Sequence, residues 1–383
     1  MNDINKIAHL TIDLARKVYG NDFIPLHRPV FEGNEKKYLI DCIDSNFVSS
    51  VGKRVNEFED MICNFTGAKY AIATVNGTTA LHIAIVLSDV SAEDEVITQP
   101  LTFVATCNAI SYAGARPIFV DVDKDTLGMS PKSLKEFLEK NAIKRGNFVY
   151  NKNTGNKISA CIPMHTFGFP CRIKEISHIC KDWDLPIIED AAESLGSFVK
   201  DIHTGNFGDI GTLSFNGNKL ITSGGGGMII TNDQSLAKKA KHITTTAKIP
   251  HDFEFVHDMV GYNYRMPNIN AALGCAQMEC INEMIENKNK ISLEWKNLFS
   301  NLNIKFVETD AENKINTWLN TIILGSKKER DAFLQITNDH GVMTRPIWRL
   351  MPKLEMYKDC ETFNIHNSEW LEERVVNLPS SVP

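Results

Sequence analysis

The sequence predicts an α/β protein: a large domain with a mainly parallel sheet covered by helices on both faces, then a small α+β domain. From about residue 70 the chain alternates between short β-rich runs and helical runs, which is typical of βαβ units. The predicted strands are apolar on both faces, as buried parallel strands are. After about residue 234 the pattern becomes helical and then gives short strands of a second domain.

The first twenty residues predict an amphipathic helix. Its apolar positions recur at helical spacing: Ile4, Ile7, Leu10, Leu14 and Val18. Charged residues interrupt the run, so the segment lacks the apolar region of a signal peptide. We expect an N-terminal helical extension over residues 1–30 that packs against the small domain or a partner subunit.

Between residues 70 and 192 every predicted strand except the last is followed by a helix. The strands are expected at 70–77, 94–100, 116–123, 158–165 and 185–192, and the helices at 78–90, 102–114, 130–141 and 172–184. In the helix at 130–141, Ser130 can act as the N-cap and Pro131 occupies the first helical position. The polar segment 140–157 predicts an exposed loop or hairpin.

The remaining chain predicts the second domain. A long helical run is expected around residues 267–299, with strands at 305–310 and 317–325. We therefore place the large domain at residues 31–245 and the small domain at residues 246–383.

Composition narrows the class of function. The 383 residues are 43% hydrophobic and carry a formal net charge of −6, which disfavours a dedicated nucleic-acid binder but not a local phosphate pocket. No segment approaches about 18 continuous apolar residues, so no membrane span is predicted. The nine cysteines show no CxxC pair and no zinc-type spacing. They predict a reducing, cytoplasmic location and no metal site.

Candidate site residues follow the predicted strands, because ligands of open parallel sheets bind at the carboxyl ends of the strands. Gly77 and Thr78 open a helix after the first strand, and this start is either a phosphate seat or a plain helix cap. Phe103 stands at the same sheet edge. It is either a core aromatic, the commoner case, or a flat ring that stacks on a cofactor.

Acidic residues end the strand at 185–192. Asp190 is the stronger candidate to meet a cation, because burial of an unpaired carboxylate is costly. Glu193 is either a second site residue or a solvated helix residue.

Ser214 ends the strand "GTLSF", Lys219 follows in a turn, and residues 224–227 are four glycines. A P-loop has its lysine after the glycines, and a Rossmann site needs G-x-G-x-x-G after the first strand, so neither is predicted. A phosphate seat, a stacking ring, a carboxylate and a lysine amine together indicate pyridoxal phosphate.

With these residues, the chain resembles the DegT/DnrJ/EryC1/StrS family of pyridoxal-phosphate sugar aminotransferases from about residue 24 to the end. The matching motifs are "NGTTAL", "TFVATCNAI", "GARPIFVDVD", "PMHTFGFP", "IIEDAAESLGS", "SFNGNKLITSGGGG" and "GYNYRMPNINAALG". The resemblance implies the aspartate-aminotransferase-like fold, called fold type I, with a mostly parallel seven-stranded sheet in the large domain.

The resemblance also implies a role for each matched residue. Lys219 forms the Schiff base with the cofactor, Asp190 pairs with the pyridine nitrogen, and Phe103 stacks on the ring. Gly77, Thr78 and Ser214 bind the phosphate, and Glu193 lies near the ring hydroxyl. Asn263 reaches the phosphate of the partner subunit, which implies a homodimer with shared active sites. His165 and Gly168 occupy an "HxxG" place, where we expect a structural role for His165.

The implied reaction takes an amino group from L-glutamate to C4 of a UDP- or GDP-linked 4-keto-6-deoxy sugar. The chain keeps lysine where one family branch, the sugar 3-dehydratases, has histidine. It is most similar to the subgroup of legionaminic and related nonulosonic acid synthesis, whose substrates usually carry a 2-acetamido group. Arg345, Trp348 and Arg349 are candidate contacts for the nucleotide diphosphate or sugar, and the alternative for the arginines is a surface cluster. Amination at C3 and a catalytically silent cofactor-binding regulator are the alternatives for function.

Overall fold

The computed structural model describes residues 4–383. Its helices are α1 Ile4–Tyr19, α2 Glu35–Asp44, α3 Lys53–Thr66, α4 Gly77–Leu87, α5 Val104–Tyr112, α6 Pro131–Asn141, α7 Ile173–Asp182, α8 Gln234–Thr244, α9 Asn268–Glu279, α10 Ile281–Asn301, α11 Lys327–Asp339 and α12 His366–Glu372. None of these helices is both long enough and apolar enough to cross a lipid bilayer.

The strands in the same residues are short, and several consist of only two residues. They are β1 Tyr70–Thr74, β2 Glu95–Thr98, β3 Arg116–Val120, β4 Ala142–Arg145, β5 Phe148–Asn151, β6 Lys157–Ile162, β7 Ile188–Asp190, β8 Phe198–Val199, β9 Ile202–His203, β10 Ile210–Ser214, β11 Gly227–Thr231, β12 Lys248–Ile249, β13 Val256–His257, β14 Lys305–Phe306, β15 Asn313–Lys314, β16 Asn320–Ile323, β17 Arg345–Pro346, β18 Thr362–Phe363 and β19 Val375–Leu378. The predicted strands between 70 and 192 and the helices between them are confirmed.

Seven strands form the core of the large sheet, in the order β1-β11-β10-β7-β6-β2-β3. Strands β7 and β6 are joined where the Asp190 N–H donates to the Pro163 carbonyl, at 2.9 Å. Every pair in this core is parallel except those of β11, which runs antiparallel to both neighbours. The predicted fold class, with a mostly parallel seven-stranded sheet, is confirmed.

Both faces of the sheet are covered by helices. Along β11, Ile229 packs into the cluster that contains helix α4, whereas Met228 and Ile230 pack into the cluster that contains Phe58 of α3. This alternation follows from the two-residue period of a strand. It explains why the strands read as continuous apolar runs, because neither face meets water.

The large sheet carries two additions. Segment 140–157 contains the β4–β5 hairpin, of which β5 pairs with the first residues of β6, so the expected loop or hairpin is a hairpin. At the β3 edge, β18 pairs in parallel with β3. The C-terminal third of the chain thus returns to the large sheet.

A second sheet, β14-β16-β19-β17, is antiparallel throughout. Helix α1 packs into its core, where Ile7 and Ile12 join Trp295, Phe333 and Val376. Of the two neighbours expected for the N-terminal helix, the structure therefore shows the small sheet and its helices. The predicted domain boundaries stay a prediction.

Lys288 is a buried amine under this second sheet. Its Nζ donates to the carbonyl of Trp318, at 3.1 Å, and to the carbonyl of Ser380. Burial lowers the pKa of Lys288 to about 7. Lys288 therefore links helix α10 to two distant backbone segments as an amine that is easily deprotonated.

The low pKa of Lys288 predicts a pH dependence of stability. An unfolded lysine titrates near pH 10.4, so between about pH 7 and 10 the unfolded chain holds a proton that the folded chain lacks. The contribution of this group to the free energy of unfolding therefore rises as the pH rises through that window. It falls again as the pH is lowered toward 7. In urea unfolding of the cofactor-loaded protein, we expect wild type to gain on the order of 1–2 kcal/mol over Lys288→Met between pH 7 and 9. Parallel pH curves for the two proteins would contradict this assignment.

Candidate active site

A cavity of about 310 Å³ opens at the carboxyl ends of the central strands. It brings together eight residues that the sequence singled out: Gly77, Thr78, Phe103, Asp190, Glu193, Ser214, Lys219 and Trp348. The rest of its wall was not predicted: Asn76, Leu81, Ala105, Met164, Ala192, Asn216, Asn218 and Trp318. Convergence of parallel strand ends explains why residues so distant in sequence meet here.

Lys219 lies in the turn between β10 and β11 and reaches into this cavity. Its Nζ is 3.1 Å from Glu193 Oε1 and 4.1 Å from the centroid of the Trp318 ring. The ion pair and the aromatic face fix the position of the amine. Lys219 is therefore held as an oriented amine and is not a free surface lysine.

Asp190 ends β7 and is only 2% exposed. Its Oδ2 accepts from the Thr106 hydroxyl at 2.6 Å, and its Oδ1 accepts from the Ala192 N–H at 3.2 Å. Burial raises the pKa of the Asp190 carboxyl, and these hydrogen bonds and the Lys219 charge oppose that rise. A carboxylate in such a place needs a cationic partner for full stabilisation.

Glu193 is buried, so the alternative of a solvated helix residue is wrong. Its Oε1 accepts from Lys219 and its Oε2 accepts from the Phe167 N–H at 2.8 Å. Burial raises the pKa of Glu193, and the neighbouring Lys219 charge works against that rise. The side chain is thereby aimed at the lysine amine.

The start of helix α4 forms the far end of the cavity. The Asn76 side chain accepts from the Thr79 N–H at 2.8 Å, which caps the helix, while Gly77 and Thr78 line the cavity. First-turn N–H groups have no acceptor within their helix. A Cβ at Gly77 would lie 2.8 Å from the Ser214 Cβ, so glycine permits the close approach of β10. The predicted helix cap is therefore present. It leaves the N–H groups of Gly77 and Thr78 available to an anion.

Phe103 is 47% exposed, so the interpretation as a core aromatic is wrong. Its ring lies 6.1 Å from the Trp348 ring, measured between centroids, and Trp348 in turn lies 4.7 Å from Phe167. These rings form an aromatic wall with an accessible face at Phe103.

Asn263 is the one cofactor-binding candidate that does not line the cavity of its own chain. It is exposed, and its side-chain oxygen accepts from Arg265 Nε at 3.0 Å. Its predicted role toward a partner subunit stays a prediction.

His165 and Gly168 lie within the fold. His165 is fully buried and its Nε2 is 2.9 Å from Glu189 Oε2, which also accepts from the Gly205 N–H. Gly168 has a φ of +94°, and a Cβ there would collide with the side chain of Asn316. These contacts agree with the expected structural role of His165.

A second cavity of about 630 Å³ shares Asn218, Trp318 and Trp348 with the first. The exposed side chains of Arg345 and Arg349 line it. The three substrate-contact candidates therefore lie beside the catalytic cavity.

Sequence reasoning missed Trp318 and Thr106. Trp318 Nε1 donates to the Asn218 carbonyl at 2.7 Å, which places its ring beside Lys219. Trp318 lies about a hundred residues from Lys219, in a segment that is read as a strand, so no local pattern reveals it. Thr106 follows Phe103 by one helical turn, and that spacing could have indicated it.

These residues fit pyridoxal phosphate. The cavity offers an amine for the aldehyde, a buried carboxylate for the ring nitrogen and an exposed ring to stack upon. The start of α4, where a Cβ at Gly77 would crowd Ser214, offers donors for the phosphate. The aldehyde, the ring nitrogen, the ring face and the phosphate each have a suitable group in this cavity.

Comparisons with known proteins find related sequences over nearly the whole chain. Residues 29–383 match the model of the DegT/DnrJ/EryC1/StrS aminotransferase family. The chain is 36% identical over 360 residues to GDP-perosamine synthase of Escherichia coli O157:H7, which covers 94% of this chain and 93% of the relative. It is 35% identical over 373 residues to EpsN of Bacillus subtilis (strain 168), provisionally named a pyridoxal phosphate-dependent aminotransferase, with 96% and 92% covered.

The fold is also found in a solved structure. Helicobacter pylori PseC, an aminotransferase involved in the biosynthesis of pseudoaminic acid, superposes with a TM-score of 0.84 at 22% identity, over 94% of each chain. The sequence matches span nearly the whole chain at more than 30% identity. The chain therefore belongs to the DegT/DnrJ/EryC1/StrS aminotransferase family and is a pyridoxal-phosphate-dependent sugar aminotransferase.

Proposed function

We propose that this enzyme transfers an amino group from L-glutamate to C4 of a UDP- or GDP-linked 4-keto-6-deoxy sugar. The observation that carries the proposal is the Lys219 amine, held by Glu193 and Trp318 in a cavity that also contains Asp190. Support for C4 and for a nucleotide sugar comes from the relatives named as GDP-perosamine synthases, at 36% and 34% identity.

Pyridoxal phosphate, when bound, supplies an electron sink for the carbanion at the reacting carbon. With the cofactor bound, Lys219 Nζ would take up and return a proton at the reacting carbon, as a general base and acid. Glu193 Oε1 lies 3.1 Å from Lys219 Nζ and orients the lysine amine. The Trp318 ring covers one side of the lysine amine and shields it from water on that side.

Asp190 holds the charge of the ring nitrogen. Its carboxylate is buried and oriented by the Thr106 hydroxyl and the Ala192 N–H. In such a low-dielectric place a carboxylate stabilises a facing cation far more than it would in water. Phe103 would stack on the ring, and Gly77, Thr78 and Ser214 would bind the phosphate.

The 630 Å³ cavity is proposed to hold the nucleotide sugar. Arg345 and Arg349 supply guanidinium groups at its wall, and guanidinium is well suited to phosphate. Its shared wall with the catalytic cavity lets one ligand extend into both. From the similarity to the legionaminic subgroup, we further propose a 2-acetamido substituent and a product used in bacterial surface glycans.

A homodimer with shared active sites is proposed for the assembly. The segment around strands β12 and β13 projects large apolar side chains into solvent: Phe253, Phe255 and Val260 are between 80 and 85% exposed. Contiguous exposed apolar residues mark interaction surfaces. Asn263 follows this segment directly, and this position would allow its side chain to reach the cofactor phosphate of a partner subunit.

A reducing, cytoplasmic location is also proposed. All nine cysteines are free thiols in the described chain, and six of them are buried. Such cysteines behave as small apolar residues and are typical of reducing compartments.

The deciding experiment incubates the purified enzyme with glutamate and a panel of UDP- and GDP-linked 4-keto and 3-keto sugars. We expect 2-oxoglutarate and a product with the mass of an amino sugar, and NMR should place the nitrogen on C4. Product only from 3-keto sugars would favour the C3 alternative. If glutamate alone does not convert the cofactor to its amine form, the silent regulator is favoured.

A further inference from the structure

His27 stands in the wall of the 630 Å³ cavity, where Trp318 and Arg345 also contribute. The backbone on both sides of it is fixed. The Ser380 N–H donates to the Leu26 carbonyl at 2.8 Å, and the Arg28 N–H donates to Ser381 Oγ at 2.9 Å. The imidazole is therefore presented by a rigid segment and not by a loose N-terminal arm.

Both ring nitrogens of His27 are buried, and neither has a hydrogen-bond partner among residues 4–383. Buried polar atoms nearly always have partners in native proteins, and an exception calls for an explanation such as a ligand. No other histidine in the described chain is left with both nitrogens unpaired in this way. Neither nitrogen touches the cavity in this state, so the ring must turn before a molecule in the cavity can supply the missing partner.

The charges around His27 determine which partner suits it. Burial is the main cause that holds the pKa of His27 well below its usual range, and any positive charge on Lys288 or Lys219 lowers it further. The ring is therefore neutral and offers one donor and one acceptor. A sugar hydroxyl, which also donates and accepts, matches this ring, whereas the diphosphate matches the arginines of the same cavity.

We propose that His27 is a specificity-determining residue that hydrogen-bonds a hydroxyl or keto oxygen of the substrate sugar, directly or through one ordered water. The proposal rests on the proposed function of the enzyme. The cavity that His27 lines shares Asn218, Trp318 and Trp348 with the cavity of Lys219, and this shared wall connects the imidazole to the catalytic amine. The sugar ring would lie between them, with the nucleotide further toward Arg345 and Arg349.

The test compares His27→Phe, which keeps a flat ring without nitrogens, with His27→Gln, which keeps a donor and an acceptor. His366→Phe is the matched control, because His366 is exposed and lines neither cavity. Each holoenzyme is measured in two half-reactions: cofactor absorbance with glutamate alone, then single turnover of the amine form with a keto sugar that wild type converts.

For His27→Phe we expect the sugar half-reaction to lose roughly 10–100-fold in kcat/KM, as for an unpaired buried polar contact. The glutamate half-reaction should stay within about twofold of wild type, and His27→Gln should recover much of the loss. By calorimetry, the affinity for the amino-sugar product should fall about as much, while that for the free nucleoside diphosphate is unchanged.

Equal sugar kinetics in wild type and both variants would overturn the inference alone. An equal loss in both half-reactions for His27→Gln would also overturn the inference, because it would show a purely structural role. This result can be obtained even if His27→Phe does not fold. Wild type that converts no keto sugar would instead overturn the proposed function, and this inference with it.

Discussion

Replacement of Lys219 by alanine should abolish transamination while the fold is kept. We propose this amine as the group that carries the proton, so we expect a loss of up to about 10⁴-fold in turnover. The methyl group left behind neither pairs with Glu193 nor contacts the Trp318 ring. Amino-sugar product followed by mass spectrometry measures the loss.

Borohydride reduction adds a second readout for the same position. In wild type, the reduced cofactor should be found on the peptide that contains Lys219, and in Lys219→Ala it should be found on no peptide. Lys200→Ala is a control, because that lysine is exposed and pairs only with Glu312 at the surface. An alanine variant with normal turnover would end the proposed mechanism.

Replacement of Asp190 by asparagine should have the second-largest effect. The amide keeps the shape and can still accept from the Thr106 hydroxyl, but it cannot hold a charged ring nitrogen. Removal of a preorganised charge at the reacting group costs about 10²–10³-fold in comparable sites. We expect a loss of that order in the glutamate half-reaction, followed by stopped-flow absorbance, while the cofactor remains bound.

Thr106→Val is the matched comparison for this carboxylate. It removes the 2.6 Å hydrogen bond but leaves the charge, so its loss should be closer to tenfold. If Asp190→Asn kept half of the wild-type rate, the charge of Asp190 would not be the main contribution to catalysis. The same would follow if Thr106→Val lost more of its rate than Asp190→Asn.

Much of the large domain could be predicted because its information is local. The buried parallel strand Arg116–Val120 is apolar on both faces from Pro117 onward, and Ser130 caps its helix within three residues, so short windows of sequence suffice. Pairings over long distances left no such pattern. The two-residue strand β18, which joins the large sheet from residue 362, is too short to show a period.

In the candidate site too, some residues could be identified from local sequence patterns and others could not. Lys219, Asp190 and Gly77 were identified because each follows a strand whose carboxyl end lies at one sheet edge. Trp318 and His27 reach the cavities only through tertiary packing, from opposite ends of the chain. Residue type alone favoured a core position for Phe103, since aromatic rings are more often buried than placed in a binding wall; its exposure reversed that interpretation.

The C-terminal tail has a consequence for when the enzyme can mature. Ser380 and Ser381 bind the backbone beside His27, and the Ser380 carbonyl holds Lys288, which also holds Trp318. The cavity wall therefore depends on contacts between segments that lie more than 350 residues apart, at His27 and at Ser380 and Ser381. A competent pocket can form only once residues 380 and 381 have packed against the segment that carries His27.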